Sequence, residues 1–260
     1  MMLCIPERLG CELSTGPLKD LPEGFNLTVV SFLPLPPLPL PNMVVQLYGF
    51  PISTCTLRVA TTLKELDVPF EFHSVDIFKG EQKRAGYTAK QPFGQVPYIV
   101  DEDGFTLYES RAICRYLALK YEKQRKLVPS PFDHQAYGRF EQGASIEVTN
   151  FDPYASGAVF EIMFKPAFGL EADHEAGKAL LATLEKKLEA YEVILSKQKY
   201  LAGDEFSLAD LFHLPYGALL AKVDYQTLET GANGKPNVAR WWKDITSRPT
   251  WQSLKDGVKA

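Results

Sequence analysis

Residues 90–111 read KQPFGQVPYIVDEDGFTLYESR, and this stretch decides the fold. Gly94 marks a turn, Val96-Pro97 leads into a strand-like run, Asp103-Gly104 is a hairpin signal, and Glu109-Ser110 opens a helical pattern. A proline that starts a buried strand points to a cis peptide bond, a state almost confined to X-Pro. A cis bond there turns the backbone N–H and C=O of Val96 towards a ligand. The helix start just after it offers free N–H groups and the positive end of a helix dipole, which favour an anion. One segment thus combines a clamp for a peptide backbone with a carboxylate site. The ligand this suits is a small peptide bearing carboxylates.

Upstream, 44–48 is a short apolar strand, Gly49 and Pro51 mark a turn, and 54–66 carries helical spacing at Val59, Leu63 and Leu66. Residues 70–75 alternate as a second strand, followed by a charged loop, 79–84. Residues 96–100 and 106–107 form the hairpin, and 110–121 a helix. The order βαβ then ββα is that of a thioredoxin-like fold, an analogy that speaks to architecture and not to function. Beyond a polar stretch ending near Asp133 the chain shows no further clear strand. The segments 136–150, 173–195, 208–222 and 239–247 read as helices, with 222–237 a loop punctuated by Gly231, Gly234 and Pro236. The expected class is α+β followed by all-α, with a thioredoxin-like domain at 43–122, a linker at 123–134 and an all-helical C-terminal domain at 135–260.

Composition narrows the function. The 260 residues are 45% hydrophobic and 23% charged, values of an ordinary globular protein. A formal charge of -4 gives no basic footprint for nucleic acid. No uninterrupted apolar run approaches the ~18 residues of a membrane span. Cys4, Cys11, Cys55 and Cys114 are widely spread, with no CxxC or Cys/His metal spacing, so no metal site and no disulfide framework are expected. Cys114, in SRAICRYLAL, reads as a small buried residue on a helix. Asp210 and His213 look like an acid/base couple. At i, i+3 in an apolar helix begun by the capping-box variant Ser207-Leu208-Ala209-Asp210, they read as structural.

Residues 1–42 differ from the rest. They are proline-rich and lack helical periodicity, and prolines break any signal-peptide core in VVSFLPLPPLPLPN. The segment reads as a disordered or polyproline-like extension, with a docking tail for a proline-binding domain as the alternative. A further reading, which the sequence favours, starts translation at Met43, where MVVQLYGF opens a strand. Without a signal peptide, the glycosylation spacing Asn26-Leu27-Thr28 carries little weight.

From Met43 to about Gln252 the chain resembles the glutathione transferases, most closely the phi class and with a fungal flavour. The resemblance rests on LYGFPISTCTLRV, FKGEQK, PFGQVPYI and YESRAICRYLA in the first half. In the second half it rests on FDPYASGAVFEIMFKPAFGLEAD, LAGDEFSLADLFHLP and ITSRPTW. It implies glutathione as cosubstrate, no other cofactor, hydrophobic small-molecule electrophiles and a homodimer; the spread cysteines read as a reducing compartment, so a cytoplasmic location is expected.

The resemblance also implies roles. Ser53 matches the serine whose hydroxyl donates to the glutathione sulfur. Lys83 matches a lysine near the glycine carboxylate, and Gln82 stands where many phi members have histidine. Gln95 and Val96 match the residues that hold the cysteinyl backbone before the cis proline, Pro97. Glu109 and Ser110 match the pair that binds the γ-glutamyl end. Phe151 and Ile52 match the hydrophobic-substrate side. Read alone, Ser53 is equally a helix cap, Lys83 a solvated loop charge, and Glu109-Ser110 a plain helix start; Arg111 reads as a salt-bridge partner within the fold. The expected reaction is attack of the glutathione thiolate on a hydrophobic electrophile, with reduction of organic hydroperoxides beside it. Two alternatives stand: a glutathione-dependent thiol oxidoreductase using Cys55, and a non-catalytic ligand-binding or interaction protein with a transferase fold.

Overall fold

The computed structural model describes residues 44–122, 124 and 126–259; the proline-rich stretch 1–42 read from sequence lies outside them. The first half builds β1 (Val45–Gly49), α1 (Thr54–Glu65), β2 (Phe70–Ser74), α2 (Ala85–Thr88), β3 (Tyr98–Val100), β4 (Thr106–Tyr108) and α3 (Ser110–Tyr121). The strands form one sheet in the order β2-β1-β3-β4, with β1 and β2 parallel and the other pairs antiparallel. This is a thioredoxin-like domain.

Alternation along each strand sorts side chains into two cross-strand rows. Phe72, Leu47, Ile99 and Leu107 are successive partners in one row; the first three lie in the core with Leu57, Leu63, Ile113 and Leu117 of α1 and α3, and Leu107, partly buried, packs against it. His73, Tyr48, Tyr98 and Tyr108 are successive partners in the other. The register also fixes where the loops emerge. Gly49 ends β1 opposite the end of β2, Tyr98 begins β3 opposite Tyr48, and Tyr108 ends β4 opposite Tyr98. Loops 50–53, 75–84, 93–97 and the start of α3 therefore gather at one end of the sheet. Gly49 lets α1 close down there: a Cβ on it would lie 2.5 Å from Thr56 Oγ1.

The second half is all helical. It comprises α4 (His134–Ile146), α5 (Asp152–Val159), α6 (Lys165–Ala167), α7 (His174–Leu195), α8 (Leu208–Leu211), α9 (Leu214–Leu220), α10 (Thr227–Thr230), α11 (Pro236–Thr246) and α12 (Pro249–Gln252). Asp133 and Asp173 cap α4 and α7 by accepting the N–H groups of Ala136 (3.1 Å) and Ala176 (2.9 Å). Two wide π-type turns, Glu147–Phe151 and Phe160–Phe164, join α4, α5 and α6 into one run. Sequence periodicity ends this helix at residue 150 and misses α5 and α6. It also misses α2 and α10, and reads α8 and α9 as one helix. That helix breaks at Phe212-His213, just before Pro215, which has no N–H for the ladder.

Candidate active site

Ser53 stands at the N-cap position of α1 with φ -63° and ψ 130°, and its hydroxyl makes no capping hydrogen bond. Its backbone is fixed: the N–H donates to Phe50 O (3.0 Å) and the C=O accepts from Leu57 N–H (2.8 Å). The hydroxyl is thus held at a helix start without a cap to make. Ile52, next to it, is 60% exposed. The C-terminal tail fastens this loop, with Val258 N–H donating to Pro51 O at 3.0 Å. Cys55, half-buried and free, accepts from Arg58 Nη1 at 3.5 Å. Tyr216 of α9 packs beside Thr54 and Cys55, and burial raises its phenol.

The second edge joins residues 82–83 to the glycine turn. Lys83 Nζ donates to Phe93 O at 3.1 Å. Gln82 Nε2 donates to Ile77 O (3.3 Å), while its Oε1 is buried without a partner. Gly94 has φ +60°, and a Cβ on it would sit 2.8 Å from Lys83 Cδ and 2.9 Å from Gln82 O, so only glycine fits. The Val96–Pro97 bond is cis, as the sequence predicts. Gln95 is exposed, and the N–H and C=O of Val96 enter no hydrogen bond among the described residues.

The third edge is the start of α3. Glu109 is exposed and adopts φ +70°, ψ 104°. A non-glycine residue there costs roughly 1–3 kcal/mol, and such strain concentrates at functional sites. Ser110 is buried, its Oγ accepting from Arg58 Nη1 at 2.9 Å. Arg58 escaped the sequence reading. It is fully buried, with Nε and Nη2 donating to Phe212 O (3.4 and 3.3 Å) and Nη2 3.9 Å from both Glu147 and Asp152. Arg111 takes the salt-bridge role expected of it. It binds Glu147 through two contacts of 2.7 Å, and its Nη2 lies 2.9 Å from Asp152.

The open side needs one correction. Phe151 does not line it: the ring is fully buried, 4.6 Å from His213 and 6.5 Å from Tyr191 between centroids. It ends the π-type turn Glu147–Phe151 and packs on His213 and Tyr191, which lie 62 and 40 residues further along the chain, so its burial depends on distant partners. Aromatics that sequence reading passed over stand outside instead. Phe50 meets Phe78 at 5.7 Å, and Phe78 meets Phe168 of the helical half at 5.5 Å, with Phe78 and Phe168 61% and 49% exposed. Asp210 and His213 are structural. Asp210 accepts from Ser207 N–H, Leu201 N–H and Trp241 Nε1, and His213 Nδ1 and Nε2 pair with Ala209 O and Tyr191 Oη. Burial drives the His213 imidazole down to about 3, so it is neutral. Cys114 is fully buried. Among the described residues no group of His, Cys, Asp and Glu is arranged to hold a metal ion, and no helix is long and apolar enough to cross a membrane.

A thioredoxin-like sheet with its loops gathered at one end, followed by an all-helical half, defines the two-part architecture of glutathione transferases. The chain matches the family "Glutathione S-transferase, N-terminal domain" over residues 43–119 and "Glutathione S-transferase, C-terminal domain" over residues 151–249. It is 50% identical over 201 residues to glutathione S-transferase PM239X14 of Arabidopsis thaliana, covering 77% of this chain and 90% of the relative. It is 48% identical over 211 residues to glutathione S-transferase hmp2 of Hypomyces subiculosus, covering 80% and 96%. The crystal structure of glutathione transferase F2 from Populus trichocarpa superimposes with a TM-score of 0.75 at 38% identity, covering 82% of this chain and 97% of that one. The chain belongs to the glutathione S-transferase family. It is an enzyme that conjugates glutathione.

Proposed function

We propose a phi-class enzyme in which the Ser53 hydroxyl donates to the glutathione sulfur and stabilises the thiolate for attack on a hydrophobic electrophile. The observation that carries this reading is a serine at a helix N-cap whose hydroxyl is not spent on the cap. Lys83 and Gln82 take the glycine end, Gln95 and Val96 the cysteinyl backbone beside Pro97, and Glu109 and Ser110 the γ-glutamyl end. Ile52, with Phe50, Phe78 and Phe168, takes the electrophile. The glutathione-binding domain is 43–122, the linker 123–134 and the helical domain 135–260. A homodimer is the assembly expected of this family. A cytoplasmic location accords with Cys55 and Cys114 being free thiols.

Magnitudes limit what Ser53 does. A thiol of pKa near ~8.5 is only ~3% ionised at pH 7, and lowering the pKa by about two units raises this to roughly 75%. Nucleophilicity falls with pKa and removes about tenfold, so the net gain is about two- to threefold. Most of the acceleration comes from holding the thiolate against a bound electrophile. The aromatic side of the site therefore matters as much as the serine. Turnover of chloronitrobenzenes, isothiocyanates and organic hydroperoxides with glutathione tests the proposal. Hydroperoxide reduction with no conjugation of any electrophile overturns it.

A further inference from the structure

The unpaired N–H and C=O of Val96 raise a question: what holds this peptide in place before a ligand arrives? The residue before it is bound at both ends by one short segment. Gln95 N–H donates to Gln91 Oε1 at 3.2 Å, and Gln95 C=O accepts from the Tyr87 hydroxyl at 2.8 Å. Both partners are buried, and Gly94 N–H donates to Gln91 O at 2.9 Å, tightening the same turn.

Gln95 C=O and Val96 N–H are two ends of one planar unit. In a trans peptide they point in opposite directions, and the cis bond is the next one along, Val96–Pro97. Holding the carbonyl on one side therefore aims the N–H on the other. A hydrogen bond to the carbonyl also polarises the amide and strengthens its N–H as a donor.

Tyr87 is itself rigidly placed. Its ring packs edge-on against Tyr98 at 5.0 Å, Tyr98 stacks on Tyr48 at 4.6 Å, and Tyr48 stacks on His73 at 4.4 Å. This column crosses the sheet from β2 to β3, and Tyr98 directly follows Pro97.

We propose that Tyr87 is a positioning residue for glutathione: its hydroxyl fixes the Gln95–Val96 peptide so that the Val96 N–H meets the cysteinyl carbonyl of the tripeptide. The proposal rests on the reading of Val96 given above. Burial holds the Tyr87 phenol well above the usual tyrosine range, so it remains a donor at working pH.

Two ligands that differ by the one carboxamide group carrying the cysteinyl carbonyl test it, γ-glutamylcysteinamide and γ-glutamylcysteamine, with dissociation constants measured by calorimetry under reducing conditions. The wild-type enzyme is expected to bind the amide at least about fivefold more tightly, the factor a single hydrogen bond represents. Should it bind both equally, the Val96 reading fails, and the proposal with it. Tyr87→Phe keeps the ring column and removes one hydroxyl. It is expected to weaken the amide about fivefold and the cysteamine ligand less than twofold, and to raise KM for glutathione more than it lowers kcat. Equal weakening of both ligands marks a purely structural role and overturns the proposal, as does no weakening of either. Replacement of Tyr87 by 3-fluorotyrosine, nearly isosteric and a stronger donor, gives a second test independent of the stability of Tyr87→Phe. It is expected to tighten the amide and leave the cysteamine ligand unmoved; absence of that split also overturns the proposal.

Discussion

Two neighbouring residues, Ser53 and Cys55, present sulfur-directed chemistry at the start of α1, and their surroundings separate them. The Ser53 hydroxyl has no capping partner, whereas the Cys55 sulfur already accepts from Arg58 Nη1. Ser53→Ala is therefore expected to raise the pKa of bound glutathione and to lower conjugation about five- to eightfold near pH 6.5. The thiolate absorbance of the complex, titrated against pH, measures this; an unchanged titration removes Ser53 from the mechanism. Cys55→Ser is expected to leave conjugation nearly intact and to abolish any glutathione mixed disulfide beside the site. Steady-state kinetics and intact mass after oxidised glutathione decide it. If Cys55→Ser removes most conjugation while Ser53→Ala does not, the roles are inverted and the thiol oxidoreductase reading gains. At this scale the sequence was informative where a role depends on neighbours in the chain. The turn at Gly94, the cis bond at Pro97 and the helix start at Glu109-Ser110 are local; the positive φ of Glu109 emerges only in the structure. Phe151 is placed on the open side by resemblance alone, and its burial against His213 and Tyr191, distant in the chain, is not legible locally.

Among the elements, strands and long helices were legible because their periods repeat. α3 runs over the expected residues, and α7 starts one residue later with Asp173 as its cap. Short helices carry too few residues to show a period, and α10 illustrates what holds such a piece in place. Glu185 of α7 accepts from Thr227 Oγ1 (2.9 Å), Asn233 Nδ2 (3.0 Å), Lys235 Nζ (2.6 Å) and Tyr225 Oη. Burial by itself would raise this carboxyl, but the hydrogen bonds outweigh it and bring the pKa from 4.5 down to about 2. A carboxyl lowered on folding adds stability above its unfolded pKa and loses it as pH falls to the folded one. Glu185 therefore contributes in full above about pH 4.5 and progressively less down to about pH 2. Glu185→Gln is expected to be less stable at neutral pH and to lose less between pH 4.5 and 2. Urea unfolding across that range measures the difference; parallel curves for the two proteins count against the anchor.

Across the molecule, one buried apolar cluster runs from Leu47 and Ile99 of the sheet through Ile113 to Phe140, Leu184 and Trp241. A charged network crosses it beside the proposed glutathione site. Glu147, fully buried, faces Arg111 at 2.7 Å and Arg58 at 3.9 Å, and Arg58 in turn holds the Ser110 hydroxyl. This part was not legible in the sequence. An arginine on α1 reads as a surface charge until a carbonyl 154 residues away, that of Phe212, comes to meet it. Burying such charges is costly, and breaking a buried pair costs more than the pair contributes, because the remaining partner is left uncompensated. Glu147→Gln keeps the shape and removes the charge between the buried Arg58 guanidinium and the partly exposed one of Arg111. It is expected to destabilise the fold by about 3–5 kcal/mol. It is also expected to weaken glutathione, because Arg58 keeps only Asp152 of its two carboxylate neighbours and is held less firmly as the donor to Ser110. Denaturant unfolding gives the first quantity and calorimetric titration with glutathione the second. A loss below about 1 kcal/mol, the range of solvated surface pairs, with unchanged glutathione affinity would show that Glu147 neither joins the two halves nor reaches the site. A loss of stability alone would confine its role to packing.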